Sequence, residues 1–442
     1  MTTLRSDVLV IGTSLGGLVA ATYLARAGLR TVLIEEDCLA KRPPLLREPF
    51  ALSGLEMDGP AHRVFRELAL PLIEQRRVAQ RSVAVQVLLP NARLDVHAGR
   101  RELARELDAF AVCDPTAAQA FFETVDARGD ELRARLVEGD AGDSSAPLVQ
   151  RLLTRAGRNG SSIDASLGPV PDGLAPVVNA ILAALSRLTP ESSPGRDAAM
   201  LLRATREGGF FMPDAGTPFL DLFRRRFLTL HGEIKAAGEF ALVTERGELG
   251  VELPRGRLFA RGVVLAAPLE LLRRVSTAAG TAPRWLAPRT PPVDVPVRLF
   301  RAEPDALPVG LGARAVVSPG APEELHWISR HADPVQEGVE WLLVAGPGAA
   351  TLPPDQPLGA LNPFPDDGLV PVDLGPAPRW DRDTADHRFL TPRSESALRA
   401  KPPVFAVGPE LAPGLGFEGE LLLARQAALR LADRLGAKRG LP

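Results

Sequence analysis

The sequence predicts an α/β fold in which a domain built on a parallel sheet is interrupted by a second, α+β domain. Patterns of strand, glycine-rich turn and helix stand near both ends of the chain, at 7–28 and 404–428. Between them, residues 100–205 show mainly helical spacing of apolar residues, and residues 295–344 contain strand-like runs. A chain of 442 residues is long enough for two or three domains.

The composition is that of an ordinary globular protein and argues against several classes of function. Apolar residues make up 45% and charged residues 24%, proportions that exclude a disordered or collagen-like chain. The formal net charge is −2, so no overall positive charge attracts nucleic acid, and we expect no nucleic-acid partner. The only cysteines, Cys38 and Cys113, form neither a disulfide framework nor a metal-ligand cluster, which predicts no bound metal and a cytoplasmic location.

No stretch of the sequence has the pattern of a signal peptide or a transmembrane helix. An acid precedes the first short apolar run, and no small-residue cleavage site follows that run. The longest apolar stretches, such as 176–188, are broken by polar residues before the ~18 residues that a spanning helix needs. We therefore expect no transmembrane segment, while peripheral contact with a membrane and the oligomeric state stay open.

The N-terminal strand, turn and helix continue into a second strand and form a βαβ unit. Residues 7–11 (DVLVI) lead into the turn GTSLGG and an apolar helix that ends near Gly28. The second strand, 31–34 (TVLI), runs into acids, and Glu35 follows Gly12 by 23 residues. Roughly 20 residues separate the turn from the ribose-binding acid in dinucleotide-binding folds. The unit predicts an adenine dinucleotide site, with NAD and FAD both open and a turn without ligand as the alternative.

Each residue type in this unit suits a dinucleotide. Gly12 lets the chain turn sharply out of the strand, and Gly17 lets the helix pack closely on the sheet. Free amides at the helix start would face an anionic diphosphate. Ser14 replaces the middle glycine of the usual pattern, and its hydroxyl can donate to phosphate. The candidate contacts are Gly12, Ser14, Leu15, Gly16, Gly17, Glu35 and Glu36, with Glu35 assigned to the ribose hydroxyls.

The C-terminal segment distinguishes between the two cofactors. Residues 404–428 read as a strand, a Gly-Pro-Glu turn, a glycine-rich loop and a helix that begins near 418–419. The segment closely resembles the C-terminal flavin-binding segment of the phytoene desaturase and flavin amine oxidase superfamily. The resemblance implies that this helix points amides at a flavin, because a helix N-terminus stabilises negative charge. The flavin-side candidates that it implies are Gly408, Glu410, Gly419, Glu420 and Leu421.

A middle segment resembles the same superfamily, with some departures. After an amphipathic helix at 219–230, Phe240 and Val243 occupy the places where the family covers the adenine. Where the family wraps the diphosphate with a Gly-Gly-Arg segment, residues 38–44 have no glycine pair, and Arg42 is the candidate contact. Pro409 replaces an acid that many relatives carry, and 294–301 holds no counterpart of the amine oxidase lysine.

The resemblance implies an FAD-dependent oxidoreductase that removes hydride from a hydrophobic small-molecule substrate. Because the flavin performs the difficult step in this family, no catalytic residue can be named from the sequence. The implied Rossmann-type FAD-binding domain is discontinuous and spans 1–85, 206–290 and 401–442, with a helical insertion at 86–205 and a substrate-domain sheet at 291–400. Two alternatives stay open: a non-catalytic member of the fold that has lost FAD and serves as a binding or scaffolding module, and an NAD-dependent enzyme.

Overall fold

A computed structural model gives the structure of the protein. It describes residues 2–36, 49–138, 167–186, 188, 198–212, 219–245, 248–267, 269–278, 293–303, 305–333, 335–353, 358, 368–374, 379–382, 402–408 and 413–437. All structural statements below concern these residues.

The described chain alternates strands and helices at both ends and in the middle. The strands are β1 (Thr2–Ile11), β2 (Thr31–Glu36), β3 (Ala79–Arg81), β4 (Val83–Leu89), β5 (Ala92–His97), β6 (Gly209–Phe211), β7 (Glu233–Ala237), β8 (Ala241–Glu245), β9 (Glu248–Leu253), β10 (Gly256–Leu265), β11 (Val293–Ala302), β12 (Arg314–Val317), β13 (His326–Ala332), β14 (Glu340–Ala345), β15 (Leu369–Pro371), β16 (Arg379–Arg382) and β17 (Val404–Ala406). The helices are α1 (Leu15–Arg26), α2 (Pro60–Glu67), α3 (Leu72–Gln75), α4 (Arg100–Ala109), α5 (Pro115–Glu138), α6 (Ala175–Leu185), α7 (Ala198–Ala204), α8 (Phe219–Thr229), α9 (Leu269–Ala278) and α10 (Gly416–Arg434).

The first sheet joins strands from three separate parts of the sequence. Its order is β7-β2-β1-β10-β9-β8, and β17 pairs with β10 on a branch. The pairs β7/β2, β2/β1, β1/β10 and β10/β17 are parallel, whereas β9 pairs antiparallel with β10 and β8. The predicted α/β fold with a discontinuous parallel sheet is therefore confirmed, and the exact limits of the predicted domains stay a prediction.

The alternation of side chains along the central strands explains how the first sheet is covered on both faces. Val10 and Leu33 belong to a core shared with α1, α8 and α10. Ile11 and Ile34 point to the opposite face and pack in a second core with β8, β9 and α9. Strands buried on both faces read as continuous apolar runs, which is why 7–11 and 31–34 carry so clear a signal in the sequence.

The second sheet accounts for the strand-like runs in the second half of the chain. Its order is β15-β11-β14-β13-β12-β4-β5, and β16 pairs with β11. One face carries Val87, Trp327 and Leu343, which pack against helices α4 to α7. The other face packs against irregular chain that includes Leu311 and Leu358. The predicted α+β architecture of the inserted part is therefore confirmed.

Helix length bears on the question of membrane insertion. None of the helices in the described ranges is long and apolar enough to cross a membrane.

Candidate functional site

The glycine turn after β1 is as tight as the sequence predicts. Gly12 has a φ of +111°, and a Cβ atom there would lie 2.3 Å from the backbone nitrogen of Ala267. A Cβ atom on Gly17 would lie 2.3 Å from the carbonyl oxygen of Gly12. Backbone packs on backbone at both positions, so only glycine fits either one.

Two amides of this turn donate to nearby polar side chains. The Gly17 amide lies 3.3 Å from the Ser14 hydroxyl, which caps α1 in the manner of an N-cap serine. The Thr13 amide donates to Oε2 of Glu36, at the end of β2, over 2.9 Å. The turn and the end of β2 are thus held together by a carboxylate.

A third amide of the turn donates to the other end of the chain. The Gly16 amide lies 2.8 Å from Oε1 of Glu420, a residue of α10 that is only 7% exposed. This contact brings two predicted cofactor segments to one place, although they are separated by 404 residues. Within the described part of the chain, the amides of Ser14 and Leu15 have no protein acceptor.

The two acids that end β2 have different surroundings. Glu36 is 1% exposed, its Oε1 has no hydrogen-bond partner among the described residues, and burial raises the pKa of its carboxyl to about 7. Glu35 instead forms an ion pair with Arg224 of α8, in which Nη2 lies 3.2 Å from Oε2. Adjacent residues of a strand face opposite sides, so only one of the two can reach the turn. The structure places Glu36 there, whereas the sequence spacing pointed to Glu35.

Helix α10 begins at Gly416, two to three residues earlier than the sequence predicted. Gly419, Glu420 and Leu421 therefore lie inside the helix, beyond the first residues whose amides lack an intrahelical acceptor. The Leu421 side chain is fully buried in the core beneath α1. Gly408 lies against the turn, since its backbone nitrogen would be 3.4 Å from a Cβ atom on Gly16.

A buried charge cluster, made of Glu56, Arg133, Arg203, Glu207 and Glu418, lies beside the first turn of α10. Arg133 of α5 lies 2.9 Å from Glu418 through Nε, and its Nη1 lies 2.8 Å from Glu207. Glu418 is 3% exposed, and burial raises the pKa of its carboxyl. Arg133 could not be identified from the sequence, because no local pattern links α5 to α10.

A small cavity lies beside this cluster. It has a volume of about 20 Å³, and Ser53, Met200, Phe417 and Glu418 are among the residues that line it. That volume holds about one water molecule.

The other predicted contacts have different outcomes. Phe240 packs against the core that contains Ile34, and the half-buried Val243 lies in β8. Their role at an adenine stays a prediction. Arg42 and Glu410 lie outside the described residues.

A larger cavity, of about 420 Å³, lies at the ends of the inner strands β4, β12, β13 and β14 of the second sheet. Phe211 forms part of its wall, and the guanidinium carbons of Arg81 and Arg314 lie 5.9 and 5.3 Å from the centre of that ring. Both distances suit cation–π contacts. His331 also lines the cavity, and burial holds the pKa of its imidazole well below the ordinary value, so the ring is neutral at pH 7.

Two hydrogen bonds connect residues of the cavity lining to the segment 50–52. The Leu52 amide donates to the Phe210 carbonyl over 3.3 Å, and Nε of Arg314 lies 2.6 Å from the Phe50 carbonyl. Ser53 follows Leu52 and lines the same small cavity as Glu418, a residue of the first turn of α10. The segment 50–53 therefore separates the larger cavity from the start of α10. The described residues contain no group of three or more His, Cys, Asp or Glu that could hold a metal ion.

Comparisons with known proteins identify the fold. No family model matches this chain, and no curated protein sequence is detectably similar. Among solved structures, a putrescine oxidase variant made in a redesign of cofactor binding superposes with a TM-score of 0.59 at 15% identity, over 99% of this chain and 100% of the other. A putative protoporphyrinogen oxidase from Exiguobacterium sp. gives 0.53 at 15% identity over 99% and 100%.

An oxidoreductase from Methanosarcina mazei is similar to the same extent. It superposes with a TM-score of 0.55 at 14% identity, over 95% of this chain and 99% of the other. The likeness in each case extends over both sheets and over almost the whole of both chains. The chain therefore shares the fold of these solved structures, which is the kind of fold that its sequence resemblance predicted.

Proposed function

We propose that this chain is an FAD-dependent oxidoreductase that removes hydride from a hydrophobic small molecule. The observation that carries the proposal is the contact between Gly16 and Glu420, which joins the N-terminal glycine turn to the C-terminal helix at one site. The shared fold supports it independently, because the solved structures with this fold include named oxidases. A cytoplasmic location, predicted from the two cysteines, forms part of the same proposal.

The turn and its neighbours fit the adenine half of such a cofactor. The tight backbone at Gly12 and Gly17 leaves the amides of Ser14 and Leu15 as donors for a diphosphate. Oε1 of Glu36, which has no partner among the described residues, would accept from a ribose hydroxyl, and this favours Glu36 over Glu35 for that role. The bound flavin would supply the acceptor for the hydride.

The cavity of about 420 Å³ is our candidate for the substrate site. It falls within the range of ligand cavities, ~300–1,000 Å³. Phe210 and Phe211 offer an apolar wall that would orient a hydrophobic substrate and exclude water. The segment 50–53 contacts two residues of the cavity lining, Phe210 and Arg314.

A second candidate function is favoured by the carboxylates in the site. Glu36 and Glu420 each accept a hydrogen bond from an amide of the turn, and the charge cluster that contains Glu418 lies at the start of α10. These features suit a member of the fold that no longer retains FAD and serves as a binding module. An NAD-dependent enzyme that uses the N-terminal unit alone has less support, because it gives the C-terminal contact no role.

The absorbance spectrum of the purified protein after incubation with FAD and gel filtration distinguishes these functions. We expect a band near ~450 nm that co-elutes with the protein and releases FAD on denaturation. Glu36→Gln should weaken FAD retention more than the matched variant Glu35→Gln, because Glu35 already pairs with Arg224. A folded, colourless protein that refuses FAD would contradict the proposal and support the binding module.

A further inference from the structure

We propose that Glu420 sets the affinity of the glycine turn for a diphosphate, because its carboxylate occupies the Gly16 amide that the ligand would use. Oε1 of Glu420 lies 2.8 Å from that amide in a buried position. The inference rests on the proposed function, since it takes the turn to be a dinucleotide site. It assigns to Glu420 the role of weakening the binding of the cofactor's diphosphate.

The position of Gly16 in α1 explains why this amide matters. Gly16 is the second residue of the helix, and the first amides of a helix have no intrahelical acceptor. Such amides, together with the helix dipole, favour an anion. In this chain the anion comes from the protein itself, so a diphosphate meets a carboxylate where it would otherwise meet a free donor.

The absence of a side chain at Gly16 allows this close approach. A Cβ atom at that position would lie 3.3 Å from Oε1 of Glu420 and 3.4 Å from the Gly408 nitrogen. The turn therefore has room for one group at this amide, and Glu420 fills that room. A diphosphate can use the amide only after the carboxylate has moved away.

A second carboxylate at the same turn strengthens the argument and points to a ligand. Glu36 holds the Thr13 amide, is almost fully buried, and has an oxygen without a partner among the described residues. That oxygen can accept a hydrogen bond from a donor such as a ribose hydroxyl. The site thus keeps an acceptor for a nucleoside hydroxyl in Glu36, while Glu420 competes with the diphosphate for the Gly16 amide.

Calorimetric titration with ADP and, separately, with FAD tests the inference. ADP carries the diphosphate without the flavin, so it reports on the turn alone. The proteins are the wild type, Glu420→Ala, Glu420→Gln and the control Glu248→Gln, a surface acid that pairs with Arg5 far from the turn. Glu420→Gln keeps the size and an acceptor oxygen, so it protects the test against misfolding of the alanine variant.

We expect Glu420→Ala to bind ADP at least tenfold more tightly than the wild type, because it frees the Gly16 amide. Glu420→Gln should bind ADP more tightly by a smaller factor, because it removes the charge but keeps an acceptor at that amide, and the control should match the wild type. Equal or weaker ADP affinity in both variants, or no ADP binding by any of the proteins, overturns the inference. If ADP binding tightens but none of the proteins binds FAD, the inference stands and the proposed function fails. If FAD binds the wild type and both variants equally, the proposed function survives and the inference fails.

Discussion

Gly17→Ala is expected to lower the free energy of unfolding by about 3 kcal/mol, although alanine normally stabilises a helix relative to glycine. The new Cβ atom would lie 2.3 Å from the Gly12 carbonyl oxygen and 2.8 Å from the Ala266 Cβ atom. Gly12 cannot move away from the new methyl group, because it packs just as closely on the backbone of Ala267. The added methyl group must therefore push α1 away from the sheet.

Gly238→Ala is the matched control, because a Cβ atom there has no neighbour within 4 Å. Chemical denaturation followed by circular dichroism measures both variants. We expect the control to change the free energy of unfolding by less than about 0.5 kcal/mol. If the Gly17→Ala protein were as stable as the control, the turn would have room for a methyl group, which would contradict this prediction.

Glu67→Ala is expected to cost about 4 kcal/mol of folding free energy, the largest effect of any side-chain truncation considered. Arg425 of α10 donates to both oxygens of Glu67, over 2.6 Å to Oε2 and 2.8 Å to Oε1. The Tyr23 hydroxyl of α1 also donates to Oε2 over 2.7 Å, and Arg63 donates to Oε1 over 2.8 Å. These contacts join three helices in a largely buried place. Removing the carboxylate leaves the Arg425 charge buried without its partner.

The same carboxylate should make stability depend on pH. Burial alone would raise the pKa of Glu67, but hydrogen bonds from Arg425, Arg63 and Tyr23 lower it from 4.5 to about 2. Because the folded state has the lower pKa, the stabilisation is complete above about pH 5 and is lost as the pH falls towards 2. The difference in unfolding free energy between wild type and Glu67→Ala should shrink by about 3 kcal/mol over that range.

Denaturant unfolding at several pH values measures this difference, with Glu74→Ala as the control. Glu74 pairs with Arg225 at the surface, where exposed ion pairs contribute under about 1 kcal/mol. A cost for Glu67→Ala no greater than that for Glu74→Ala, or one that does not change with pH, would contradict the role assigned to this network.

The first sheet could be predicted from the sequence because its signals are local. Apolar runs, the glycine turn and helical spacing identified β1, α1 and β2 in order, and the C-terminal strand and helix were found in the same way. The sequence spacing could not decide between Glu35 and Glu36 for a physical reason, and the ribose contact stays a prediction. A spacing of ~20 residues has a tolerance of several residues, whereas a shift of one residue in a strand reverses the face of the side chain.

The acids and the arginine around α10 could not be placed from the sequence. Gly16 and Glu420 are 404 residues apart, and Arg133 meets Glu418 across 285 residues, so no periodic pattern connects them. One signal was present in the sequence. Two acids flank Gly419 at the start of an apolar helix, and buried acids need partners.

Hydrogen exchange of the backbone amides, followed by mass spectrometry with and without FAD, tests the central claim that both chain ends form one cofactor site. The account predicts that FAD slows exchange together in three segments, at 12–18, at 31–36 and at 413–421. Slowing confined to the two N-terminal segments would contradict a shared site and favour a nucleotide site without the C-terminal helix. No slowing in any of the three segments at saturating FAD would contradict the claim that the protein binds FAD.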